Sequence, residues 1–171
     1  MNTLSVNLVA SSFLPPRAAM WRKLSGITST LNFEDYGNFG AALANAHDFD
    51  ATMLVLFHQD MLGEPGAEMT RYQACLDLLS GALSGHGGVI YVAYSGWGGG
   101  DALRALKSRS AAAQAAAMFR DRLYGLCARH PALYVVDLDL SFGQQGFSAS
   151  FDARNWYASH MRLSMPGLQA L

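Results

Sequence analysis

Ser11 and Ser12 close a short apolar run, Leu4-Ser5-Val6-Asn7-Leu8-Val9-Ala10, and precede Phe13-Leu14-Pro15-Pro16. A hydroxyl where a strand gives way to a helix lies near unpaired backbone amides, which can stabilise a developing oxyanion. Such a serine becomes nucleophilic when an imidazole takes its proton. His160, in Asn155-Trp156-Tyr157-Ala158-Ser159-His160-Met161-Arg162, comes late enough in the chain to fold back over the same edge. That pairing makes Ser12 the candidate nucleophile, His160 the candidate base and Asp152 a group that could orient the ring. Phe57-His58-Gln59-Asp60 follows the most apolar run in the sequence. Gln59 could donate its side-chain amide to an oxyanion, and His58 and Asp60 could contact substrate. Gly37 could add a backbone amide, and Trp97 could line a pocket. Each residue also has a plainer reading: a serine capping a helix, a histidine in a surface tail, a glycine in a turn, a polar cluster ending a strand.

Two further motifs carry less. Ser95-Gly96-Trp97-Gly98-Gly99-Gly100 lacks the Lys-Ser/Thr pair of a phosphate-binding loop and the spacing of a dinucleotide fingerprint. Asp137-Leu138-Asp139-Leu140-Ser141 mimics the start of an aspartate-nucleophile phosphatase, but only 30 residues follow Ser141, so two acidic residues ending a strand is the simpler account. No Cys/His/Glu spacing suggests a metal site, and no cofactor is expected.

These groups need a scaffold, and an alternation of apolar runs with amphipathic ones supplies it. Strands are expected at 4–10, 26–33, 51–57, 89–94 and 133–140, with helices at 17–24, 36–47, 68–84 and 102–129. Ala51 to Phe57 is apolar on both faces, as suits a central parallel strand covered by helices. Residues 141–150 read as loop, and 152–171 as loop with a helix beginning after Pro166. The fold class is α/β, a three-layer α/β/α sandwich around a five-stranded parallel sheet of order 2-1-3-4-5, with ligands gathering at the carboxyl ends of the strands.

The 171 residues allow one domain. Hydrophobic residues at 51% exclude a disordered chain. Charged residues at 15% fall short of the usual quarter or so, as if part of the surface were covered by another domain or partner. A net charge of −1 leaves no basic excess for nucleic acid. No apolar run is long enough to span a membrane. The start lacks a signal peptide's pattern. Cys75 and Cys127 read as thiols of a reducing compartment, hence a cytoplasmic location.

The order of these blocks resembles that of SGNH (GDSL-like) hydrolases. Ala10-Ser11-Ser12 lies over the Gly-Asp-Ser block, Gly37 over the glycine block, Gln59-Asp60 over Asn-Asp, and His160 over the last histidine. Ser11 stands in place of the aspartate, Gln59 in place of the asparagine, and Tyr157 where an aspartate precedes the histidine. A narrower stretch, Phe151-Asp152-Ala153-Arg154-Asn155-Trp156-Tyr157 with Leu163-Ser164-Met165-Pro166-Gly167-Leu168, is similar to one in FkbH-like proteins, where an SGNH-like domain leads into a HAD-type domain.

The resemblance implies an SGNH-like domain over 1–150 and a linker over 151–171 toward a HAD-type domain. It implies acyl or glyceryl transfer to an acyl carrier protein or a sugar, in polyketide or polysaccharide biosynthesis. Ser12 would attack, His160 would take the proton, and the Ser12 and Gly37 amides with Gln59 would hold the oxyanion. Two alternatives stand beside it: a catalytically degenerate scaffold that binds a carrier protein or positions the HAD-type domain, and a free-standing esterase.

Overall fold

The structure is a computed structural model describing residues 3–15, 29–35, 37–61, 68–85, 88–96, 111–169 and 171. Five strands, β1 (Leu4–Ala10), β2 (Ser29–Phe33), β3 (Ala51–Phe57), β4 (Val89–Ser95) and β5 (Leu133–Asp137), form one sheet in the order β2-β1-β3-β4-β5. Every neighbouring pair is parallel. The expected class, sheet and strand order are those observed. The expected helix at 17–24, Trp97 and residues 102–110 of the expected helix 102–129 lie outside the described residues.

Strand alternation sends successive side chains to opposite faces, and both faces are apolar. One carries Val9, Leu54, Leu56, Ile90, Val92 and Leu133. Against it pack α1 (Phe39–Ala44), α3 (Glu68–Leu83) and α4 (Ala111–Cys127) through Leu43, Leu76, Leu79, Phe119 and Leu123. A 3-10 turn at Ala46–Asp48 follows α1, and α2 (His58–Met61) follows β3 directly. The opposite face carries Leu8, Ala10, Val55, Phe57 and Ala93.

That second face is covered by the end of the chain. Residues 138–150, expected as strand end and loop, form α5 (Leu138–Gln145) and α6 (Phe147–Ser150). Asp137 stops β5 three residues early because its carboxylate accepts the Asp139 amide at 3.0 Å and caps α5. Leu138 and Phe142 are then fully buried. Residues 151–171, expected as a linker, continue as α7 (Ala153–Ser159) and α8 (Met165–Gln169). They add the buried Leu163 and Leu168 to the same core as Leu8 and Phe57, so the tail is part of the sheet's cover. Gly167 makes that docking possible: a Cβ there would stand 2.1 Å from the Ser150 carbonyl oxygen.

Candidate functional site

The carboxyl ends of β1 and β3 are where the chain changes direction across the sheet: β1 leads outward to β2, β3 toward β4. Ligands gather at such a switch point in open parallel sheets. The rim there is held by a polar network. Ser11 Oγ accepts the Phe57 amide at 2.9 Å and donates to Asp60 Oδ2 at 3.0 Å. Arg162 closes it from the tail. Its Nε donates to Asp60 Oδ1 at 2.6 Å, a terminal nitrogen pairs with the same oxygen, and the other donates to Gln59 Oε1 at 2.5 Å. Both charged side chains are largely buried, 7% exposed for Asp60 and 14% for Arg162. A buried pair persists only when its remaining hydrogen-bonding capacity is met, as Ser11 and Gln59 do here.

Crevices open on either side of this network. On the helix-covered face, Ser11, Gly37, Phe39, Asp60, Met61 and Arg71 line a cavity of about 280 Å³. Arg71 is exposed and has no carboxylate partner among the described residues. Cys75 adjoins it, but burial pushes its thiol up to about 12, so it is no nucleophile near neutrality. On the other face, Ser12 lines a narrower slot of about 240 Å³ with Leu8, Phe33 and Glu34.

The structure brings the opening and closing segments together: the Phe13 amide donates to the His160 carbonyl at 3.1 Å, and His160 adopts φ 55°. The side chains do not form the expected dyad. Ser12 is 2% exposed and its hydroxyl has no hydrogen-bond partner among the described residues, so the exposed His160 imidazole does not reach it. Asp152 is held by Arg154, through Nε and a terminal nitrogen at 3.2 Å, rather than by His160. The Gly37 amide is spent on the Ala10 carbonyl at 2.7 Å; its φ of 79° is why glycine stands there. His58 is buried, its Nδ1 against the Tyr72 hydroxyl. Tyr72 in turn lies 3.4 Å from the Tyr94 hydroxyl. Sequence reasoning missed Arg162 and Arg71. Arg162 lies two residues beyond the histidine that drew notice, and nothing local marks its partner 102 residues away.

A second network fixes the carboxyl ends of β4 and β5. Asp139 accepts from Ser95 Oγ at 2.7 Å, the Gly96 amide at 3.0 Å and Arg120 at 2.5 Å. Asp137 caps α5. Among the described residues no three His, Cys, Asp or Glu side chains converge to hold a metal ion. No helix among them is long and apolar enough to cross a membrane.

No protein-family model matches the sequence, and no curated protein matches it. A solved structure does share the fold. It is the N-terminal part of the protein BF1531 from Bacteroides fragilis, described as containing a phosphatase domain complexed with Mg. The TM-score is 0.77 at 14% identity, over 98% of this chain and 49% of that one. This chain therefore spans about half the length of that structure. The expected identity is corrected by this likeness. The SGNH and FkbH-like reading, with Ser12–His160 acyl or glyceryl transfer, gives way to a fold shared with a phosphatase-containing protein. The carrier-binding SGNH scaffold and the free-standing esterase are set aside with it, and the unpartnered Ser12 hydroxyl is the physical reason the dyad chemistry has no support.

Proposed function

We propose that this chain is the phosphoester-recognising domain of a phosphatase-type protein. A phosphorylated small molecule enters the crevice between the carboxyl ends of β1 and β3, and a following HAD-type domain supplies the hydrolytic chemistry. The observation that carries this reading is Arg71. It is an exposed cation on the switch-point crevice with no carboxylate partner among the described residues, and the crevice's acidic residue, Asp60, is already neutralised by Arg162. A guanidinium offers planar paired donors that suit phosphate oxygens. Phe39 and Met61 provide apolar surface for the rest of the ligand.

The Mg²⁺ named for the similar structure does not fit the acidic pair of this chain. Both oxygens of Asp139 are committed to Ser95, Gly96 and Arg120, and Asp137 is committed to its helix cap. Mg²⁺ demands near-ideal octahedral oxygen geometry, and the Arg120 cation already sits on Asp139 Oδ2, so no step through the metal is assigned to these residues. One observation favours a second reading, in which this chain hydrolyses phosphoesters itself: Asp137-x-Asp139-x-Ser141 stands at the carboxyl end of a parallel strand, where such motifs act.

Titrating the chain with p-nitrophenyl phosphate, with and without Mg²⁺, tests both. The expected result is saturable binding, abolished in Arg71→Glu, with no release of nitrophenol. Absence of binding, or binding indifferent to Arg71→Glu, overturns the recognition role. Hydrolysis that disappears in Asp139→Asn moves the chemistry to this chain's own aspartates.

A further inference from the structure

Ser11 and Ser12 are neighbours in sequence, yet their hydroxyls meet different fates. Ser11 Oγ is doubly hydrogen-bonded, whereas Ser12 Oγ and Thr52 Oγ1 are the buried side-chain oxygens without a partner among the described residues. A buried hydroxyl left unpaired is uncommon, because its desolvation goes uncompensated. Ser12 belongs to the lining of an accessible slot.

The slot has a polarity gradient. Ser12, 2% exposed, is the most buried polar residue of its lining. Leu8, Leu14 and Phe33 make the walls. Half-buried Glu34 and exposed Asp35 stand toward solvent. Glu34 accepts a hydrogen bond from Asn32 at 3.3 Å, and neither carboxylate has a cationic partner among the described residues. Two unpaired carboxylates repel an anion and attract a cation. Apolar walls exclude a bare metal ion, which needs oxygen donors throughout its shell, but accept a hydrocarbon stem. The inner hydroxyl calls for one hydrogen-bonding group at the far end.

We propose that this slot binds a small amino alcohol or similar amine, its ammonium at Glu34 and Asp35, its stem along Leu8, Leu14 and Phe33, and its far hydroxyl or carbonyl on Ser12 Oγ. The site lies on the opposite face of the sheet from the Arg71 crevice and selects the opposite charge, so it stands or falls independently of the phosphoester reading. Ser12 acts there as a binding group.

The test is a calorimetric or NMR titration of the chain with 4-amino-1-butanol, n-butylamine and 4-hydroxybutanoate. The expected order is 4-amino-1-butanol tightest, n-butylamine roughly tenfold weaker for want of the terminal hydrogen bond, and 4-hydroxybutanoate without measurable binding. In Ser12→Ala, 4-amino-1-butanol should fall to the level of n-butylamine while n-butylamine is unchanged, a selectivity that a general loosening of the fold would not produce. A Glu34→Gln/Asp35→Asn double variant, changed only on the solvent side, should lose both amines. No binding of either amine, equal binding of 4-hydroxybutanoate, or a Ser12→Ala effect identical for both amines overturns the assignment.

Discussion

Arg162 and Asp60 are the residues on which the rim depends most. Removing the arginine would leave a 7%-exposed carboxylate without its counter-charge, and stranding one member of a buried pair costs about 3–5 kcal/mol. Arg162→Ala is therefore expected to lower the free energy of unfolding, measured in urea, by that much, whereas the paired change Arg162→Met with Asp60→Leu should recover most of the loss. A single variant as stable as the parent would show that the pair is solvated. The partnership was out of reach of the sequence, because a charge in a tail announces neither its burial nor its mate. What was legible was the position of Ser11 and Ser12 at a strand end, and the late return of the chain to that place. The direction of each hydroxyl was not, since adjacent strand-end residues face opposite ways and only the packed neighbours decide which is satisfied.

At the level of elements, the strands were readable because both faces of β1, β3 and β4 are covered, giving nearly unbroken apolar runs. The segment after β5 misled because glycine and serine in 141–150 suggested loop. The signal that overrides them is Asp137, whose cap starts a helix that Leu138 and Phe142 then anchor. The helix α3 is tied to β4 by Tyr72 and Tyr94, whose hydroxyls meet in the core. Burial pushes Tyr94 up from 10.0 to about 12, drives Tyr72 further upward from the ordinary phenol value, and pushes Cys75 up from 9.0 to about 12. Unfolded, these groups release protons from about pH 9 to 10; folded, they keep them. The unfolded state thus binds fewer protons in that range, and linkage makes stability full below pH 9 and progressively lost as pH rises toward and through 12. Denaturant unfolding at pH 8, 10 and 11 should show the decline, and Tyr94→Phe should make it shallower. A stability independent of pH across this range would contradict the burial of these groups.

For the molecule as a whole, the expected division at residue 150 meets a core that does not stop there. Leu163 and Leu168 are almost wholly buried against Leu8, Phe57 and Phe142, and each such burial contributes about 1.5–3 kcal/mol. Together with the loss of Arg162 from the rim, that is comparable with the whole stability of a typical domain, about 5–15 kcal/mol. A chain ending at Ser150 is expected to unfold without cooperativity and to bind a hydrophobic dye, measured by circular dichroism and dye fluorescence; a cooperative transition near that of the full chain would restore 151–171 to the status of a linker. A charge fraction of 15% suggested cover by another domain or a partner. It could not say that part of the cover comes from the chain's own last twenty residues.

The backbone bond from Phe13 to the His160 carbonyl has a mechanical corollary. It staples the late segment to the strand end that carries both serines, so a tug on residues 160–163 would be felt first at the Ser12 wall and, through Arg162, at the Ser11 wall. Whatever grips that late segment holds the drawstring of two mouths at once.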